Sequence, residues 1–303
     1  MSTFPFVTAD VFTKQRFGGN QLAVFPDALG IAPELMQQIA REFNFSETTF
    51  VLPPDDSRHT RRIRIFTPTY ELPFAGHPTV GTAFALASLG EIPMNGAETR
   101  IVFEEGVGPV SVTIRAENGI PGFAQLTAAK LPEFGPPAPA APDLAHVLGL
   151  DRSDVLDDTF APEAVSCGVP YLCIPVRNRA VLGRARVQVE EFVSLLQGYW
   201  TAKVYLFCED PELPGSHIRA RMFAPELGIA EDPATGSAVA GLSGYLAKRS
   251  ARRDGTLRWV IEQGFEMGRP SILEAEADVR DGAVAAVRVG GHSVLVTRGE
   301  LTI

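Results

Sequence analysis

The chain has 303 residues, of which 45% are hydrophobic and 21% charged, and its formal net charge is −9 at pH 7. This composition excludes a disordered chain, and an acidic balance without an extended basic run makes nucleic acid an unsuitable partner. No stretch approaches the roughly 18 uninterrupted apolar residues of a membrane span, and the amino-terminal residues do not have the pattern of a signal peptide. We therefore expect a cytoplasmic protein that binds neither nucleic acid nor membranes.

Short β-rich runs separated by turn residues dominate the chain, in keeping with its 28 glycines and 24 prolines. Alternating and β-branched residues predict strands at Asn20–Phe25, Thr48–Leu52, Arg61–Phe66, Arg100–Phe103, Val110–Arg115, Tyr171–Val176, Val204–Cys208 and Val294–Thr297. Amphipathic periodicity predicts helices at Pro33–Phe43, Pro142–Leu148 and Val189–Tyr199.

Two further segments, Thr79–Leu89 and Ala238–Ala247, contain no charged residue. A helix that is apolar on every face must be surrounded by protein, and segments of this length are too short to cross a membrane. Each segment is therefore predicted to be a buried central helix with a sheet wrapped around it.

The two uncharged segments belong to an internal repeat. A shift of 160 residues places Pro73 on Pro233 and Gly76 on Gly236, and a shift of 157 residues aligns Arg64 with Arg221. A repeat near half the chain length predicts two similar lobes, residues 1–130 and residues 131–303, with a proline-rich linker at Leu131–Pro142. The expected fold class is α+β, in which each lobe is a mostly antiparallel sheet around a central apolar helix, and residues 290–303 are expected to pack with the first lobe.

A glycine-bearing turn precedes each uncharged helix. The first turn contains Gly76 and His77, and the second contains Gly236 and Ser237. The unpaired N–H groups at a helix start attract anions, and two such ends facing each other across a cleft would hold a small carboxylate. The alternative for Ser237 is a plain N-cap, and His77 fits a structural role as well as a catalytic one.

Two carboxylates are further candidates. Glu47 lies in a strand-like apolar run, where partial burial would raise its pKa toward that of a useful base. The alternative is a glutamate on the solvent face of an edge strand. Asp232 lies just before Pro233 and could be a turn residue.

Metal and cofactor sites are not indicated. The five histidines are scattered, the three cysteines show no CxxC spacing, and no complete nucleotide-binding motif is present. We therefore expect neither a metal nor a cofactor, and we interpret Cys167 as a buried structural thiol.

The segments Glu71–Thr79, Arg221–Pro225 and Glu231–Ala238, together with Gly18–Phe25 and Gln263–Ser271, resemble the PhzF-like phenazine-biosynthesis isomerase/epimerase family over essentially the whole chain. The resemblance implies a fold like that of diaminopimelate epimerase, with the active site in the cleft between the two lobes. It also implies cofactor-free chemistry and, by analogy, a homodimer.

The resemblance also assigns roles to the candidate residues. In phenazine-type members, which isomerise a dihydro-hydroxyanthranilic acid, a glutamate takes a proton from one ring carbon and a proton returns at another. Glu47 stands at the position of that glutamate. His77, Asp232 and Ser237 match other residues that line the site of the family, while Gly76 and Gly236 contribute backbone groups.

The chain departs from the wider superfamily in one respect. Diaminopimelate epimerase and proline racemase use two cysteines at the helix mouths, where this chain has Ala75 and Thr235. Racemisation by two thiols is therefore disfavoured, and we expect an isomerase of the trans-2,3-dihydro-3-hydroxyanthranilate isomerase type. The alternatives are an epimerase or racemase of an amino-acid-like substrate, with Glu47 and Asp232 as opposed bases, and a non-catalytic scaffold that binds a small acid or a protein.

Overall fold

A computed structural model describes residues 2–303. The chain forms two compact units. The first runs up to Ala129 and includes Val289–Ile303, and the second is Lys130–Arg288. None of the helices formed by the described residues is both long and apolar enough to span a bilayer.

The first unit is a closed sheet around one helix. Its strands are β1 (Thr3–Val11), β2 (Asn20–Phe25), β3 (Glu47–Leu52), β4 (Arg61–Phe66), β5 (Glu71–Leu72), β6 (Glu98–Glu105), β7 (Gly108–Glu117) and β8 (Ile120–Thr127), and its helices are α1 (Pro33–Phe43) and α2 (Gly76–Leu89). A last strand, β17 (Ala283–Thr302), enters this unit from Val289 onward.

Strand pairing closes this sheet into a barrel. β1 is antiparallel to β2, β2 is parallel to β3, and β3 is antiparallel to β4. β4 is parallel to β6, which leads into the antiparallel run β6–β7–β8. β17 then pairs with both β8 and β1, which completes a ring of eight strands.

Helix α2 lies inside the barrel, and its residues from Gly76 to Ala87 are therefore all buried. A Cβ on Gly81 would lie 2.5 Å from a methyl group of Val11 and 2.6 Å from one of Leu22. Only a residue without a side chain lets this turn of the helix approach β1 and β2 so closely. Helix α1 is amphipathic and buries Met36, Ile39 and Ala40.

The second unit repeats the plan with additional helices. Its strands are β9 (Glu133–Pro137), β10 (Glu163–Ser166), β11 (Pro170–Pro175), β12 (Val204–Cys208), β13 (Ile218–Ala224), β14 (Ile229–Asp232), β15 (Gly255–Gln263) and β16 (Ser271–Arg280), and its helices are α3 (Ala141–Val147), α4 (Arg179–Arg184), α5 (Val189–Leu196) and α6 (Gly236–Arg249). The parallel pairs β11–β12 and β13–β15 correspond to β2–β3 and β4–β6.

Two faces of the β11–β12 region are covered by different helices. The side chains of Leu172, Ile174 and Leu206 pack with α3, α4 and α5 in one apolar cluster. The alternate residues point the other way, toward α6, where Tyr171 reaches Ser237 and Phe207 meets Tyr245 edge-on. The side-chain period of two along a strand produces this separation.

The α+β class and the pattern of a central apolar helix within each sheet are confirmed. One local expectation is wrong, because the proline-rich stretch predicted as a linker contains strand β9, which pairs with β10. Glu133, Phe134 and Pro137 are in register with residues of β10, and the prolines lie at the end of this strand, where a missing N–H is tolerated.

Candidate active site

Helix α2 and strand β3 position the first candidate cluster. His77 is the second residue of α2, and Glu47 is the first residue of β3. β3 lies between β2 and β4, so the alternative of a glutamate on an exposed edge strand is wrong. The exposed fractions of the Glu47 and His77 side chains are 12% and 5%.

The His77 ring is held between two polar groups. Its Nδ1 lies 3.2 Å from Asn20 Nδ2, and its Nε2 lies 3.4 Å from Glu47 Oε2. With the amide nitrogen of Asn20 donating to Nδ1, the ring proton is on Nε2, which lies near the Glu47 carboxylate without forming a hydrogen bond to it. Asn20 itself is buried, which fixes this arrangement.

Burial keeps His77 neutral. It lowers the pKa of His77 from 6.5 to about 3, against the opposite effect of a hydrogen bond with the backbone of Gln21. A neutral imidazole at this distance does not compensate the negative charge of the carboxylate. The carboxylate can therefore remain a proton acceptor.

Tyr70 is a further neighbour of this cluster. Burial raises the pKa of Tyr70, and the negative charge of Glu47 adds to the increase. The phenol therefore stays protonated at neutral pH. Its position could not be inferred from the sequence because it follows from the short β4–β5 turn, in which Thr67 Oγ1 accepts a hydrogen bond from Tyr70 N.

Asp232 belongs to a hydrogen-bonded cluster in the second unit. Thr235 Oγ1 donates to Asp232 Oδ2 at 2.5 Å and accepts from Gln263 Nε2 at 2.9 Å. Gln263 Nε2 also donates to the Asp232 carbonyl, and Gln263 Oε1 accepts from Tyr205 Oη at 3.0 Å and from Thr235 N at 3.1 Å. Every polar atom of the Gln263 amide is therefore used to fix the turn that carries Asp232.

Ser237 is the second residue of α6 rather than its N-cap, because the helix begins at Gly236. The N-cap interpretation of Ser237 is therefore wrong. Its Oγ lies 2.8 Å from Tyr171 Oη, and both side chains are buried. Tyr171 is distant in sequence and comes from β11, so no local pattern predicted it.

The two helix starts have the same construction. Gly76 and Gly236 are the first residues of α2 and α6, both are buried, and neither N-cap residue, Ala75 or Thr235, caps its helix with a side-chain hydrogen bond. The first N–H groups of both helices therefore receive no side-chain oxygen from the cap position, which suits backbone binding of an anion.

A bidentate ion pair anchors each turn. Arg64 bonds Glu71 through two contacts of 2.7 Å, and Arg221 bonds Glu231 through two contacts of 2.8 Å. These pairs occupy equivalent places in the internal repeat. The second pair is more deeply buried, and Arg221 also donates to the carbonyls of Leu182 and Ala185.

The three cysteines lie outside both turns. Burial raises the pKa of the Cys167 thiol to about 12, and its Sγ lies 3.4 Å from the carbonyl of Ala240. Within residues 2–303, no three side chains of His, Cys, Asp or Glu converge as a metal site would require. The chemistry available in the two clusters is therefore that of carboxylate, imidazole, hydroxyl and amide groups.

Comparison with known proteins shows which sequences resemble this chain. A family model described as phenazine biosynthesis-like protein, PhzC-PhzF, matches residues 9–299. An uncharacterized isomerase from Mesorhizobium japonicum is 44% identical over 310 residues, with 100% of both chains covered. The trans-2,3-dihydro-3-hydroxyanthranilate isomerase of Pseudomonas aeruginosa is 35% identical, covering 97% of this chain and 98% of that protein.

The fold recurs in solved structures. The crystal structure of a PhzF-family phenazine biosynthesis protein from Bacillus anthracis is similar over 100% of both chains, with a TM-score of 0.89 and 30% sequence identity.

Proposed function

We propose that this chain, an isomerase that belongs to the phenazine biosynthesis-like (PhzC-PhzF) family, moves a proton along a small carboxylic acid with Glu47 as its general acid and base. The observation that carries the proposal is the contact of 3.4 Å between the largely buried carboxylate of Glu47 and the neutral ring of His77. A carboxylate that is largely shielded from water and placed beside a neutral ring suits the transfer of a proton to and from carbon.

The proposed reaction needs only this one acid/base group. The Glu47 carboxylate removes a proton from one carbon, and the electron pair of the broken C–H bond forms a new double bond. The existing double bond shifts, and the protonated Glu47 returns the proton to the carbon at the far end. The substrate and product therefore have the same composition, and no oxidant, reductant or second substrate is consumed.

The other predicted residues are proposed to orient the substrate. His77, 3.4 Å from the Glu47 carboxylate, and Asp232 are proposed as polar groups that orient the acid and assist proton movement. Each helix start is proposed to bind a substrate carboxylate or a developing oxyanion, through the amide at Gly76 in the first unit and through Ser237 and the amide at Gly236 in the second. Support for this part comes from the equivalent positions of the two helix starts in the internal repeat.

The substrate class is proposed from the relatives. A protein 35% identical to this chain is a trans-2,3-dihydro-3-hydroxyanthranilate isomerase, and a cyclic, unsaturated amino acid of that type offers both an acidic C–H bond and a conjugated system. We therefore propose a small unsaturated carboxylic acid of this class as the substrate.

Deuterium incorporation tests the reaction class. The protein would be incubated in D2O with a panel of small unsaturated acids, beginning with trans-2,3-dihydro-3-hydroxyanthranilate, and the products would be followed by NMR. Migration of a double bond supports the proposal, and deuterium at the new C–H position measures how far the proton on Glu47 exchanges with solvent before it is returned.

Two other results of the same experiment would contradict the proposal. Deuterium at a single stereocentre with inversion would indicate the epimerase alternative, with Glu47 and Asp232 as opposed bases. Thermal stabilisation of the protein by an acid of the panel without any exchange or conversion would indicate the non-catalytic binding scaffold.

A further inference from the structure

Glu105, the last residue of β6, is a buried acid that the proposed reaction does not use. Its residue exposure is 8%, and its Oε1 lies 2.7 Å from the hydroxyl of Thr79 in the first turns of α2. Its Oε2 makes no hydrogen bond within the described residues. A carboxylate in this place would leave one charged oxygen buried without a donor, which is costly.

The hydrogen bonds of Thr79 determine which group donates. Thr79 Oγ1 lies 2.7 Å from the carbonyl oxygen of Ala75 and 2.7 Å from Glu105 Oε1. A hydroxyl has one proton, and a carbonyl oxygen can only accept. Both short contacts are hydrogen bonds only if the Thr79 proton goes to Ala75 and Glu105 donates a proton of its own to Thr79.

We propose that Glu105 is a positioning residue that acts as a neutral carboxylic acid, whose O–H donates to Thr79 Oγ1 and thereby holds the Ala75 carbonyl at the start of α2. Ala75 is the residue immediately before Gly76 and His77. The same hairpin also supports the turn through its backbone, because Val107 N donates to the Pro73 carbonyl at 2.9 Å.

The second unit has a permanently neutral group at the corresponding place. β15 ends at Gln263 as β6 ends at Glu105, and each is followed by a glycine, Gly264 or Gly106, that packs against Pro233 or Pro73. Gln263 donates to Thr235, the counterpart of Ala75, so it supports directly the residue that Glu105 supports through Thr79. An amide and a protonated carboxyl have nearly the same shape, so two residue types can support the residue that precedes the first helix glycine.

The surroundings of Glu105 contain no charge that would favour its ionisation. Burial raises the pKa of Glu105 to about 8, and only a bond in which Thr79 donated to the carboxylate would oppose this increase. Helix α2 has no charged residue and one titratable side chain, the neutral His77. The neighbouring acids are engaged elsewhere: Glu104 with His59 and backbone N–H groups, and Glu71 with Arg64.

NMR of the full chain labelled with carbon-13 at the glutamate side-chain carboxyl tests the protonation state directly. One resonance is expected to titrate near pH 8, and it should be absent in the Glu105→Gln variant. The result that overturns the proposal is a wild-type spectrum in which every glutamate titrates below about pH 6. The titration of the wild type requires neither turnover nor a folded variant, so its result is independent of the proposed function.

Thermal unfolding gives a second reading of the protonation state. A raised folded-state pKa means that the stabilising contribution of Glu105 is complete below about pH 4.5 and is lost as the pH rises to about 8. The Tm of Glu105→Gln minus that of the wild type should therefore be smallest near pH 4 and increase up to pH 8. A difference that does not change with pH would contradict a neutral Glu105.

NMR of the His77 ring tests the positioning role. The His77 ring resonances, assigned with the His77→Gln variant, should shift in the wild type when the pH is raised through 8. They should stay constant in Glu105→Gln. Thr79→Val should uncouple His77 from Glu105, and Thr79→Ser, which keeps the hydroxyl, should restore the shift. If the His77 resonances of the wild type do not shift when the pH is raised through 8, Glu105 does not have the proposed role.

Discussion

His77 Nε2 lies 3.4 Å from Glu47 Oε2, and the two side chains are almost completely withdrawn from solvent. Because burial keeps the imidazole neutral, this contact is not a salt bridge between full charges. It is a neutral ring placed beside a carboxylate. The arrangement brings the two groups together without forming an ion pair that a substrate would have to disrupt.

Acid should destabilise the protein through His77. The pKa of His77 is about 3 in the folded protein against 6.5 in the unfolded chain, so the unfolded state binds more protons between these values. The contribution of His77 to stability is therefore complete above pH 6.5 and is lost as the pH falls toward 3. We expect the Tm of the wild type to fall more steeply than that of His77→Gln between pH 6.5 and pH 4.

The protonation state itself can be measured. The ring resonances of His77 should not titrate between pH 4 and pH 7. A midpoint near 6.5 would show that the imidazole is solvated and would remove the physical basis of its proposed role.

The hydroxyl of Thr235 should matter through Asp232. Thr235→Val removes the donor to Asp232 Oδ2 and the acceptor for Gln263 Nε2, while the volume of the side chain is kept. A hydrogen bond to a charged group contributes about 1.5–3 kcal/mol, so kcat should fall by about 10- to 100-fold with a smaller change in KM. Thr235→Ser is the matched control and should retain most of the activity; equal losses in the two variants would argue against the hydrogen bond.

The two bidentate ion pairs should differ in their contribution to stability. The Glu231 side chain is 16% exposed beside an Arg221 that is 5% exposed, whereas Glu71 is 41% exposed. Glu231→Ala should lower the free energy of unfolding by about 3–5 kcal/mol because it leaves a buried guanidinium uncompensated. Glu71→Ala should cost about 1 kcal/mol or less. Urea unfolding of both variants measures the difference, and equal costs would contradict this comparison.

The fold could be predicted in large part because its signals are local. The uncharged stretches at α2 and α6 indicate buried helices, and the repeat of Pro73, Gly76 and their counterparts indicates two similar units. Helix α1 was predicted with the bounds that the structure shows. The family motifs also carried the candidate residues Glu47, His77 and Asp232.

The partners of these residues could not be predicted in the same way. Asn20 bonds His77 across 57 positions of sequence, Tyr171 bonds Ser237 across 66, and Gln263 bonds Thr235 across 28. Each contact depends on strand order and on which face of a strand a side chain occupies. The repeat also contains a signal for Glu105, because Glu105-Gly106 aligns with Gln263-Gly264. That alignment needs a shift of 158 residues, whereas the turns align at a shift of 160, so the signal was missed.

The central claim is that Glu47 carries the proton, and one measurement tests it most directly. Wild type, Glu47→Gln and the matched control Glu117→Gln, which alters an exposed glutamate at the end of β7, would be compared in D2O with the acid that the wild type turns over. Glu47→Gln should bind that acid with nearly unchanged affinity and lose double-bond migration, with any accompanying deuterium incorporation, by at least about 100-fold, while the control behaves as the wild type. Double-bond migration by Glu47→Gln at a rate near that of the wild type would contradict the account.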